Sequence, residues 1–177
     1  MCNHHRSAWR SAGVLALMLA LVAVAAVPAL AAKPVREQLS TDPTVLDAGS
    51  GCAFPVEFRP HAGARFTRTE FTDRVVIQGN ARTTLTNLES GASVEANDFS
   101  RYSERYDAQA NDVLIEVSGQ AILYFFPGDQ GPEGEVGENG ALYAVVGHAE
   151  ETLDLDQNLI TSFTLRGQAK ELCSLLD

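Results

Sequence analysis

Two cysteines, Cys52 and Cys173, bracket almost all of the chain that carries strand-like patterning, with 120 residues between them. In an exported chain such a pair reads as one disulfide. A link across so long a loop restricts the unfolded chain by about 4–5 kcal/mol on the chain-entropy account. It also brings the two ends of the folded region together. The domain is therefore expected to begin near Cys52, to end near Cys173 and to hold its termini side by side.

Export itself is read from residues 1–32. Arg6 and Arg10 precede an unbroken apolar run, Val14 to Val27, which Pro28 ends. Ala29-Leu30-Ala31 then places small residues where a signal peptidase reads. Basic, apolar, small is the order of an export signal, so these residues are expected to be a signal peptide and the mature protein to be secreted. The alternative is an uncleaved anchor, because the uncharged stretch Ser11 to Ala32 is long enough to span a bilayer. Membrane contact is expected only through this segment. Cys2 lies ahead of the apolar run and no cysteine directly follows it, which argues against lipid attachment.

The full chain of 177 residues suits one domain, and its apolar fraction of 45% is too high for a wholly disordered chain. Its formal charge of −10 becomes −12 once the leader removes Arg6 and Arg10 and no acid. Nucleic acid is disfavoured as a partner, since neutralising phosphates needs clustered Lys and Arg.

Residues 33–51 read as a linker. They hold Pro34, Pro43 and an Ala-Gly-Ser-Gly tail, with no sustained period. From Cys52 onward, short apolar or alternating runs are separated by turn residues every eight to twelve positions. Runs of this kind are Ala53–Arg59, Arg65–Thr72, Arg74–Gln78, Arg82–Leu88, Ala92–Ala96 and Phe99–Tyr106. Gly79-Asn80 between two of them is expected to be a hairpin turn. Val113, Ile115 and Val117 share a face, and Gly119 marks a turn or bulge before the apolar run Ala121–Phe126. Leu142–Leu153 and Leu159–Arg166 form a last hairpin, and Lys170–Leu176 supplies a helical turn or two. The expected fold for residues 52–177 is all-β: one antiparallel β-sandwich or β-barrel of about nine strands with a short C-terminal helical turn, closed by Cys52–Cys173.

Candidate chemistry is sparse. The segment Gly128 to Gly140 places glycine at every third position and carries Asp129, Glu133, Glu135 and Glu138. It reads as an extended acidic surface loop, a candidate ligand or hard-cation site through carboxylate oxygens, although its spacing matches no calcium motif. Asp154, Asp156 and Asn158 imitate the start of a calcium loop. Leu159 and Leu165 stand where that loop needs Gly and Glu, so an Asx-rich turn is expected. His148 and Glu150 lie two apart on an expected strand and form a possible acid–base pair, the basis of an alternative reading as a hydrolytic enzyme. Phe99, Tyr102 and Tyr106 flank Arg101 and Arg105, as on an exposed sheet face or a sugar-reading surface. Nucleophile-elbow, zinc and phosphate-loop signatures do not occur, so no catalytic residue, metal or cofactor is expected.

Four stretches carry a likeness: Cys-Ala-Phe-Pro at 52–55, Thr-Leu-Thr-Asn-Leu-Glu-Ser-Gly at 84–91, Tyr-Phe-Phe-Pro-Gly-Asp at 124–129 and Leu-Cys at 172–173. In these the chain resembles a group of uncharacterised small secreted β-rich proteins of actinobacteria. The resemblance implies a secreted bacterial protein with a β domain and lends no catalytic residue. The leading expectation is a secreted, non-catalytic β domain that meets an unidentified ligand or protein outside the cell. A second is a β-barrel that carries or isomerises a small apolar molecule.

Overall fold

The computed structural model describes residues 33–177. The leader reading of residues 1–32, and its alternative as an anchor, lie outside the described residues. Eleven strands follow in chain order: β1 (Val35–Leu39), β2 (Thr44–Leu46), β3 (Val56–Pro60), β4 (Arg65–Glu70), β5 (Val75–Asn87), β6 (Ser93–Asp107), β7 (Asp112–Phe125), β8 (Gln130–Gly131), β9 (Gly134–Glu135), β10 (Ala141–Asp154) and β11 (Leu159–Glu171). A single helical turn, α1 (Cys173–Leu176), ends the chain.

Nine of these strands make one antiparallel sheet, seven of them in the order β1-β4-β5-β6-β7-β10-β11. β3 pairs with the second half of β5 on the edge that β4 occupies along the first half, and β2 pairs with β3. The protein is thus all-β, with about nine strands in its main sheet and a short C-terminal helix. The sheet does not close into a barrel, because β1 and β11 remain at opposite ends of the pairing order.

Residues 33–51 are not a linker. They form β1, which pairs with β4, and β2, which pairs with β3. The sequence hides this because both strands are edge strands. Val35, Arg36, Glu37 and Val45 are exposed, so no buried face imposes a period of two. The sequence also breaks the long strands into shorter runs. Gly79-Asn80 is no turn; it lies inside β5, where Asn80 pairs with Arg65. β6 and β7 each run through what reads as a break.

Those breaks mark a bend. Gly119 on β7, Gly147 on β10 and Gly167 on β11 stand in register across three strands. Gly119 and Gly147 have φ of +107° and +137°, a region that residues with a Cβ seldom enter. At this line the sheet forks. β6 and β7 stay paired from Asp107↔Asp112 as far as Phe99↔Gln120, then part. The rest of β6 continues with β5 to Ser93, and the rest of β7 continues with β10 to Phe125.

A core fills the fork. Leu85 of β5 and Ala96 of β6 pack in one cluster with Leu142 of β10, Val56 of β3, Phe54, Cys52, Leu172 and Leu176, and Ile122 of β7 packs against it. The Cys52–Cys173 disulfide joins this core to the end of the chain, with Cα atoms 5.6 Å apart. Such a bridge belongs to an oxidising environment. α1 is held by buried Asn87, whose Nδ2 donates to the Leu176 carbonyl at 2.9 Å. The second core lies on the other face of β7 and β10, around Val117, Leu123, Phe125, Tyr143, Val145 and Phe163. Ala121–Phe125 is therefore packed on both sides, except that Tyr124 stays half exposed.

Candidate functional site

Where β6 leaves β7 the sheet opens into a cleft of about 640 Å³. That volume lies within the range of small-molecule sites. Its apolar wall comes from Phe58 of β3, Phe66 of β4, Ile77 of β5, Ile115 of β7 and Leu153 of β10. Strands from five different sheet positions meet there because the sheet wraps around this face. Ser40 to Asp42, the connection between β1 and β2, forms part of the rim. The Ser40 hydroxyl donates to Asp42 Oδ2 at 2.6 Å and accepts from the Asp42 amide at 3.0 Å, which shapes that turn.

Three titratable side chains that are buried or half-buried, Asp98, Tyr102 and Glu151, stand among the polar groups lining this mostly apolar space. Asp98 and Tyr102 come from β6, two residues to either side of Ser100, and share its face. Glu151 comes from β10, opposite Ile115 of β7 and Phe163 of β11. Asp98 accepts a short hydrogen bond from the Ser100 hydroxyl. Burial still raises its carboxyl above the usual range, and the Ser100 bond offsets only part of that. Tyr102 places its hydroxyl 3.5 Å from the Ile122 carbonyl, a long contact. Burial first, then the Asp98 carboxylate, and more weakly Glu151 and Tyr124, hold the phenol well above its ordinary value, so it stays protonated.

Glu151 is the least satisfied group. It is 8% exposed, and its Oε1 is buried with no hydrogen-bond partner among the described residues. Burial, helped by the nearby Asp129 charge, pushes its carboxyl up to about 7. A buried carboxyl oxygen left without a partner loses hydration it does not recover within the protein. Perturbed carboxyls and a phenol gathered in one apolar cleft make it the candidate functional site.

Of the residues singled out from sequence, Tyr102, Asp129 and Asn158 line the cleft and the others lie outside it. Asp129 is 2% exposed, and its two oxygens accept from the Phe126 amide at 2.7 Å and the Ile160 amide at 2.8 Å. It clasps the loop onto β11. The expected extended loop is instead a tight hairpin of β8 and β9, closed by the Val136 amide donating to the Asp129 carbonyl at 2.8 Å. Glu133, Glu135 and Glu138 are exposed on it. No group of three His, Cys, Asp or Glu side chains that could hold a metal ion occurs among the described residues.

His148 and Glu150 do meet, Nε2 to Oε1 at 3.2 Å, but both side chains are about half exposed. They face away from Glu151, on the opposite side of β10. The aromatic and basic run on β6 splits in the same way. Phe99, Arg101 and Arg105 are exposed, whereas Tyr102 belongs to the cleft. Asp154 accepts from the Asp156 and Gln157 amides at 2.8 and 2.9 Å, the Asx turn expected there.

Compared with protein-family models, with curated proteins and with solved structures, the chain matches none. The cleft therefore has to be read on its own chemistry.

Proposed function

We propose that the mature domain works outside the cell as a non-catalytic binding protein and holds a small, largely apolar molecule in the cleft. The observation that carries this reading is the cleft itself: about 640 Å³, walled by aliphatic and aromatic side chains, with a few convergent polar groups. The disulfide and the export-like leader support the extracellular setting. No helix among the described residues is long and apolar enough to cross a membrane.

A neutral, environment-sensitive dye tests the reading. The mature protein should bind it with a blue-shifted, saturable emission. Ile77→Trp, which fills the cleft, should abolish that signal while the cooperative unfolding transition is retained. Glu150→Ala, on the outer side of β10, should leave it intact. Equal dye binding by all three proteins would sink the proposal.

A further inference from the structure

We infer that the cleft selects a lipophilic cation, an apolar molecule bearing an ammonium or similar group, and that Glu151 is the residue that recognises the charge. This rests on the binding reading above and narrows the ligand class.

The cleft is one-signed. Asp42, Asp98, Glu104, Asp129 and Glu151 all line it, and no Lys, Arg or His among the described residues does. Two of these acids are already engaged, Asp98 by Ser100 and Asp129 by two backbone amides. Glu151 has an oxygen with no partner among the described residues. Glu151 therefore combines a buried, unbonded acceptor oxygen with uncompensated negative charge. An ammonium supplies what that carboxyl lacks, a donor and a positive charge together, and such charge-assisted bonds are stronger than neutral ones.

The surrounding rings fit the same ligand. Tyr102, Tyr124 and Phe126 also line the cleft, and aromatic rings attract cations over their faces. A fatty acid or another carboxylate would meet five acids and no cationic side chain, so like-charge repulsion excludes it. A neutral alcohol of equal length would gain the apolar contacts but leave the Glu151 charge unmatched.

The test is displacement of the bound neutral dye by three ligands of equal chain length: a primary alkylamine, an alkanol and an alkanoate. It is run at about pH 8.5, where the amine is still charged and Glu151 is ionised. The amine should displace at a concentration at least about tenfold below the alkanol, with the alkanoate weakest. Glu151→Gln should remove the amine advantage and still bind the dye. Equal potency of amine and alkanol, a stronger alkanoate, or an amine preference that survives in Glu151→Gln would each overturn the inference while leaving the cleft as a binding site. Failure of the wild-type protein to bind the dye at all would overturn the binding reading and this inference with it.

Discussion

Gly119 of β7 is the register partner of Gly147 of β10, and a Cβ on either would collide with the carbonyl oxygen of the neighbouring strand, Phe99 for the first and Arg166 for the second. The pair marks the line at which the sheet bends and forks, so one relationship creates both the enclosed core and the cleft mouth. Gly119→Ala should lower unfolding stability by about 2 kcal/mol or more, combining the positive φ with the backbone clash. Urea denaturation followed by circular dichroism measures this. The same variant should weaken dye binding, because Tyr102 and Ile122 lie either side of the bend.

The disulfide ties the fork shut from the end of the chain. Cys52 is 2% exposed and packs in the first core, and Cys173 follows the last residue of β11 by two positions. Reduction, or the double change Cys52→Ala with Cys173→Ala, should destabilise the domain by about 3–5 kcal/mol, as expected for a loop of this size. A comparison of denaturation midpoints with and without reductant gives the value. Mass spectrometry of the untreated protein should show two hydrogens missing.

Much of this architecture was legible in the chain, and the parts that were not share a cause. The bracketing cysteines, the strand-rich pattern and the terminal helical turn follow from spacing and alternation, which report burial on one face. β1 and β2 bury almost nothing, so no alternation betrayed them. β5 and β7 each read as two runs because Gly79 and Gly119 inside them look the same in sequence as glycines that end a strand, and β6 reads as two because its polar Asn97-Asp98 imitates a turn. The cleft acids did leave a trace. Tyr143, Val145 and Ala149 occupy alternate positions of β10, and Glu151 continues that parity, a carboxyl on the buried face of a strand. Asp98 breaks the run of Val94 and Ala96 in the same manner. The loop carboxylates drew attention instead because they are adjacent in sequence, whereas the cleft acids come from strands far apart in the chain.

That contrast gives a sharp test of the loop. Asp129→Ala removes the acceptor of two backbone amides and leaves both N–H groups unpaired in a buried setting. It should destabilise the domain by about 2–3 kcal/mol. The triple change Glu133→Ala, Glu135→Ala and Glu138→Ala touches exposed side chains and should stay within about 0.5 kcal/mol of wild type. Calcium added to the wild-type protein should leave its melting temperature unmoved. A clear calcium-dependent rise that the triple variant loses would restore the loop as a cation site.

Glu151 should make the domain less stable as pH rises. Its carboxyl titrates near 7 when folded, against an unfolded value of 4.5. Below the unfolded value both states hold the proton, and ionisation of the group costs nothing. Between the two values the unfolded chain gives up its proton while the folded protein keeps it, so the unfolded state is favoured progressively. Above about 7 both are ionised and the full difference, roughly 3 kcal/mol, is lost from stability. The charges that bear on it have the same sign: Asp129 raises it directly, and Asp98, also raised by burial, adds a loss in the same direction. Glu151→Gln keeps the shape and cannot ionise. Its denaturation midpoint should change less than that of wild type between about pH 5 and pH 8, with the variant the more stable of the two at the upper end. A bound cation would reverse this by favouring the ionised carboxylate, so the amine ligand should stabilise the wild type more at high pH than at low pH. Parallel pH profiles for wild type and variant would mean that Glu151 is hydrated in solution, and the cleft would then lack the buried charge on which its selectivity depends.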